Sequence, residues 1–302
     1  MRKIKLLSII TVLCIMTLFF SVFNSSASSP VTATDPKETV AKAYQKFQSL
    51  KSYHMTIDFT SVLSFRGNNI NTVMKGEGDV RVKPMLGKNI MNITMDITSD
   101  NAPKKIERQL VQYFEETGNQ ITVYSNIDNQ WIKQSTPNYY PLNEYDNYIK
   151  AITSVTQISE DANSTIFEVI ASGSYLQENL ERYMASAGMK NMKVTADLLQ
   201  DLGDFKYTIA VDKKTSLISR MDIDLSDFMP KIANKLVESQ NMPADQKTVI
   251  KEMFDNMKII TTVAFSEINR GEKITIPKEA KEAREVVPNP MIQTKPSKAA
   301  GL

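Results

Sequence analysis

The sequence predicts an antiparallel α+β fold, and three observations carry the prediction. Segments in which apolar and polar residues alternate follow one another directly from Tyr53 to Ile132 and recur as far as Asn269, the period of a half-solvated strand. Segments with helical spacing are inserted between these strands instead of alternating with them, which argues against a doubly wound parallel sheet. No linker rich in Gly, Ser and Pro and no internal repeat divides the 302 residues, so one large domain is expected over 35–287.

The chain opens outside that domain. Arg2, Lys3 and Lys5 precede an uncharged apolar run from Leu6 to Phe23, followed by the small and polar Asn24-Ser25-Ser26-Ala27-Ser28-Ser29. This is the layout of a secretory signal peptide over 1–27, cut after Ala27. The run is also long enough to serve as an uncleaved N-terminal anchor. Either reading puts the bulk of the chain outside the cytoplasm, secreted or in the cell envelope. Lipid anchoring through Cys14 is disfavoured: bulky Leu13 precedes it, and apolar Ile15-Met16-Thr17-Leu18 follows where a polar tether should start. The mature chain then has no Cys, and its fold stands without disulfides.

Asp35-Pro36 supplies an N-cap and a first-turn proline, and Val40, Ala43, Tyr44, Phe47 and Leu50 mark one helical face. Strands follow. Tyr53, Met55, Ile57 and Phe59 alternate with His54, Thr56, Asp58 and Thr60; a Gly67-Asn68-Asn69 turn leads into Ile70–Val82; Met91–Ile97 alternates again; 105–115 alternates less cleanly. Gly118-Asn119 is a hairpin turn before Ile121–Tyr124, and Trp131-Ile132 form a short strand. Further strands are expected at Thr153–Ser159, Thr165–Ala171, Phe205–Val211, Leu217–Leu225 and Lys258–Asn269, giving about eleven in all. Helices are expected near Leu142–Ala151, as a pair at Tyr175–Ala187 and Val194–Leu202, and as a second pair at Pro230–Ser239 and Pro243–Asn256. The Pro- and Lys-rich residues 288–302 read as a disordered tail.

Composition narrows the function. Lys and Arg total 36 against 34 Asp and Glu, which removes the basic excess that nucleic-acid binding requires. One His and one Cys exclude His-rich metal sites and most Cys or His catalysis. His54 lies on the polar face of its strand, and Asp58, on that face too, is about 13 Å away, beyond reach as an orienting carboxylate. It reads as a solvent-facing or hydrogen-bonded residue. Glu115 and Glu116 point to opposite faces, and Asp222 and Asp224 alternate with Met221, Ile223 and Leu225 as a solvated strand face does. No phosphate-binding, nucleophile-elbow or zinc-protease motif is present. No cofactor is implied, and the chain is not expected to be an enzyme.

Methionine is the unusual quantity: there are sixteen, and all but Met1 and Met16 lie beyond the targeting segment. Met is flexible and lines surfaces that accept varied apolar partners. A sheet facing amphipathic helices across an apolar space would have Met55, Ile57, Phe59, Met74, Met91, Ile93, Met95, Met221 and Ile223 on its wall, with Met184 and Met253 opposite. An ordinary filled core in a Met-rich chain has the same composition.

Several segments resemble one family. "LKSYHMTIDF" leads from a helix into long strands, "QITVYSNIDNQWIKQ" is a strand–turn–Trp element, "VDKKTSLISRMDIDL" a late hairpin and "KITIPKEAKEA" a closing element. Together they resemble the LolA/LppX-type bacterial extracytoplasmic lipoprotein-carrier superfamily over most of 36–283. The resemblance implies a strongly curved antiparallel sheet, a half-open β-barrel, covered by inserted helices that cap an apolar cavity. It implies no catalytic residues. The expected function is therefore a non-enzymatic exported protein that binds a lipid acyl chain or another apolar small molecule, with membrane or envelope association. The alternative is an envelope structural or interaction protein with a solid core and no cavity.

Overall fold

The computed structural model of the chain describes residues 35–65, 67–98, 103–137, 149, 151–172, 203–239, 243–271 and 273–286. The targeting segment with Cys14, most of the expected helix at Leu142–Ala151, the pair at Tyr175–Ala187 and Val194–Leu202 with Met184, and the tail lie outside them.

Helix α1 (Pro36–Gln48) starts as its sequence dictates: Asp35 accepts a hydrogen bond from the Lys37 backbone N–H at 3.0 Å, and Pro36 occupies the first turn. Eight strands follow: β1 (Ser52–Phe65), β2 (Asn68–Arg81), β3 (Leu86–Thr98), β4 (Lys104–Thr117), β5 (Gln120–Ile127), β6 (Gln130–Pro137), β7 (Ile152–Glu160) and β8 (Ser164–Ala171). Then come β9 (Phe205–Asp212), β10 (Ile218–Asp224), helices α2 (Met229–Ser239) and α3 (Ala244–Asp255), β11 (Lys258–Ser266), the short helix α4 (Lys278–Lys281) and β12 (Arg284–Glu285). All belong to one open sheet of 12 strands in the order β12-β6-β5-β4-β3-β2-β1-β11-β10-β9-β8-β7. Every pairing is antiparallel except β12 with β6.

Each strand expected from the alternation is present. β12 is the addition, and two residues carry no periodicity for a pattern to detect. β6 is also longer than Trp131-Ile132, spanning 8 residues, because it pairs with β5 along its whole length, where a polar sequence gives no alternation to read.

Register assigns the two faces. On one, the face α1 covers, Phe59 lies opposite Met74 and Met74 opposite Ile93, while Ile57 lies between Gly76 and Val263, with Gly76 opposite Met91. Met221 pairs with Val263 and with Ile209, extending the same row into β9. Phe47 of α1 seats on this face against Phe265 and Tyr53, with ring centroids 4.6 and 5.4 Å away, and the Tyr44 hydroxyl meets the Tyr207 hydroxyl at 3.1 Å. These residues form one continuous core.

The opposite face carries a second, smaller core. Residues 273–286 cross it as a strap: Ile276 and Ala280 are buried with Tyr113 and Tyr124, and Ile274 packs there with Leu86, Val111 and Trp131. The Lys133 ammonium donates to the Lys281 carbonyl at 2.9 Å and β12 continues the strap along β6. This second layer explains the blurred alternation of β4. Leu110 and Phe114 face α1 while Val111 and Tyr113 face the strap, so both faces of the strand are apolar, as a strand covered on both sides requires.

Candidate functional site

The α1 face is the first candidate. Of its expected wall, Met55, Ile57, Phe59, Met74, Met91, Ile93, Met95 and Met221 are buried, from 1 % exposed at Met91 to 8 % at Ile93. Ile223 is partly buried against the same core, and Met253, on α3, is half-buried. The strand residues are thus brought onto a single face. Helix α3 packs against β1.

Glycines shape this wall. A Cβ at Gly76 would lie 2.8 Å from Met91 Cγ, one at Gly78 would collide with Asn89 Oδ1 and lie 2.7 Å from the Lys88 carbonyl, and one at Gly87 would lie 1.9 Å from Phe114 Cζ, overlapping the tip of the ring. Each glycine is the cross-strand partner of the side chain that lies over it. A strand glycine leaves room for a neighbour to fold across the backbone, here with a thioether, a carboxamide and a phenyl ring.

The wall is not purely apolar. Asn89 and Gln112 are 6 % and 5 % exposed and stand opposite each other on β3 and β4, with Ser125 next in line on β5. Gln112 Nε2 donates to Ser125 Oγ at 3.0 Å. Asn89 Oδ1 is buried without a hydrogen-bond partner among the described residues.

The second candidate is a cleft at the start of β1, lined by Ser52, His54, Asp79, Arg81, Glu267, Gly271 and Ile274 among others, with about 10 Å³ of open space. That is roughly the room for one water. His54 Nδ1 and Asp79 Oδ1 lie 2.8 Å apart, each 23 % exposed. Asp79 is directly across β2 from His54. The sequence offered only Asp58, which instead faces Lys75 at 3.7 Å in solvent. Ser52 Oγ accepts from the Gly271 N–H at 2.9 Å, and the Lys51 N–H donates to Asn269 Oδ1 at 2.6 Å. The serine is thus a tie for the loop after β11.

The remaining polar groups do structural work. Asp222 accepts from Thr262 Oγ1 at 2.7 Å and from Arg220 Nε at 2.9 Å on the solvated face. Glu115 accepts from the Tyr124 hydroxyl at 2.6 Å, and burial with this bond raises the Tyr124 pKa above its ordinary value. Burial alone raises that of Tyr53. Asp212 is held below the usual carboxylate range by the hydroxyl and N–H of Thr215, which close the β9–β10 turn. Among the described residues no group of three His, Cys, Asp or Glu is placed to hold a metal ion.

A family of unknown function, DUF6612, matches residues 35–285. The chain belongs to it. The match runs from the cap of α1 to the last residue of β12, so the DUF6612 unit includes both the α1 layer and the strap on the opposite face. No curated protein matches the chain.

Proposed function

We propose that this protein is a non-enzymatic, exported binding protein that holds a lipid acyl chain or another apolar molecule between its sheet and its helices. In this reading the open sheet curls as a half-barrel of the LolA/LppX type, and helices cap its apolar side. The observation that carries it is the gathering of Met55, Met74, Met91, Met95 and Met221 with Ile57, Phe59 and Ile93 on one face of the sheet. Met makes an adaptable wall, because its side chain changes shape with small energy differences. Acyl chains would gain about 0.8 kcal/mol per buried CH₂. The wall residues are closed over, so entry requires the helical layer to move.

Native mass spectrometry of protein purified without detergent tests this first, with a co-purified lipid expected. Fluorescent fatty-acyl probes test it directly, with Met221→Trp expected to block binding at little cost in stability. A wild type that binds no probe, together with a loss of about 1–3 kcal/mol in Met221→Trp, the signature of an overpacked solid core, would refute the reading in favour of the structural one.

A further inference from the structure

We infer that Asn89 is the polar anchor of this apolar wall, and that the ligand carries a neutral hydrogen-bond donor, a hydroxyl or an amide N–H, at the point where it passes β3. The inference rests on the binding function proposed above and specifies the chemistry of its ligand.

A carboxamide in a core is ordinarily bonded, because a buried polar group without a partner loses its hydration for nothing. Asn89 breaks this rule: it is 6 % exposed, and its Oδ1 is buried with no partner among the described residues. Its neighbours across the sheet make the position specific. Gly78 on β2 has no side chain, and that absence gives the carboxamide its place, since a Cβ there would collide with Oδ1. On the other side stands Gln112, which donates to Ser125 Oγ. Beyond Gly78 lies Met55, 1 % exposed and unable to donate a hydrogen bond. The row through Met55, Gly78, Asn89, Gln112 and Ser125 contains no charged residue. An anionic or cationic headgroup would find no counter-charge in it, whereas a neutral donor would complete it. Phe114 lying over Gly87 and Met91 lying over Gly76 bound the site on either side along the strands, so the carboxamide has apolar neighbours along β3.

The test uses the mature chain, the variant Asn89→Leu, and two probes of equal chain length, a long-chain fatty alcohol and its methyl ether. Leu has the forked shape of Asn but is the larger side chain; it removes the orphaned acceptor, and the wild-type comparison of the two probes stands on its own if the added bulk disturbs the fold. The wild type is expected to bind the alcohol about five- to ten-fold more tightly than the ether, the worth of one net hydrogen bond. Asn89→Leu is expected to bind the ether as well as the wild type does and to lose the preference for the alcohol. Equal binding of both probes by the wild type, or a preference retained in Asn89→Leu, overturns the anchor while leaving the binding function standing. Binding of neither probe by the wild type overturns both.

Discussion

Substituting Gly87 by Ala adds a single methyl group, yet should cost about as much as a core truncation. Gly87 is not in the left-handed region, so alanine suits its backbone. The obstacle is Phe114, whose ring lies over the glycine from the adjacent strand, with Cε2 2.6 Å from where the new Cβ would be and two further ring atoms closer. Phe114 is 2 % exposed and cannot swing out without leaving the core. The cost lies between overpacking, about 1–3 kcal/mol, and loss of the phenylalanine, about 3–5 kcal/mol. About 2–4 kcal/mol is expected, read as a shift in the urea midpoint followed by far-UV circular dichroism and by fluorescence of Trp131, the single tryptophan. The decisive measurement is the same substitution in a Phe114→Ala background. There the ring is gone and the intrinsic preference of a strand for Ala over Gly remains, so Gly87→Ala should stabilise by about 0.5–1 kcal/mol. A sign reversal between backgrounds is the signature of direct contact. Equal destabilisation in both would show that Gly87 is required for some reason other than the ring, and the account of the glycine-shaped wall would fail.

Two further outcomes follow from the faces and from the buried phenols. Ile57→Asp buries an unpaired carboxylate at a site 3 % exposed and should cost at least about 3 kcal/mol, whereas Thr56→Asp, on the exposed side of the same strand, should cost under about 1 kcal/mol by urea unfolding; similar midpoints would refute the assignment of faces. Tyr53 has a raised pKa through burial, so the unfolded phenol ionises near pH 10 while the folded one stays neutral; its contribution is complete below about pH 10 and is lost as the pH rises above it. Thermal unfolding midpoints should therefore fall in alkali, and Tyr53→Phe should flatten that fall; an unchanged alkaline slope would refute burial of the phenol as its cause.

Much of the sheet was legible in the residues because strand alternation is local. Side chains at i and i+2 share a face whatever the strand pairs with, so Met55, Ile57 and Phe59 could be placed together without knowing their neighbours. The cap of α1 was legible for the same reason, since Asp35 and Lys37 are two residues apart. The wall of the candidate site was legible as a set of residues. Its glycine-shaped surface and the placing of Asn89 over Gly78 were not, because Met91 meets Gly76, Asn89 meets Gly78 and Phe114 meets Gly87 only through cross-strand register.

The same limit governed His54. Within its own strand the available carboxylate was Asp58, too distant to bond; its partner, Asp79, is 25 positions along the chain and adjacent only once β1 and β2 pair. The strap was hidden differently. Ile274, Ile276 and Ala280 read as an unremarkable closing segment, and nothing local says that they cover Tyr113, Tyr124 and Trp131. By itself the sequence determined the strands, the capped first helix and the apolar face of each, since these depend on backbone geometry over a few residues. The order of twelve strands, the pairing of His54 with Asp79, the second core and the placing of Asn89 over Gly78 were decided by the tertiary structure, because register is a property of two strands at once and is set by how the whole sheet buries its apolar face.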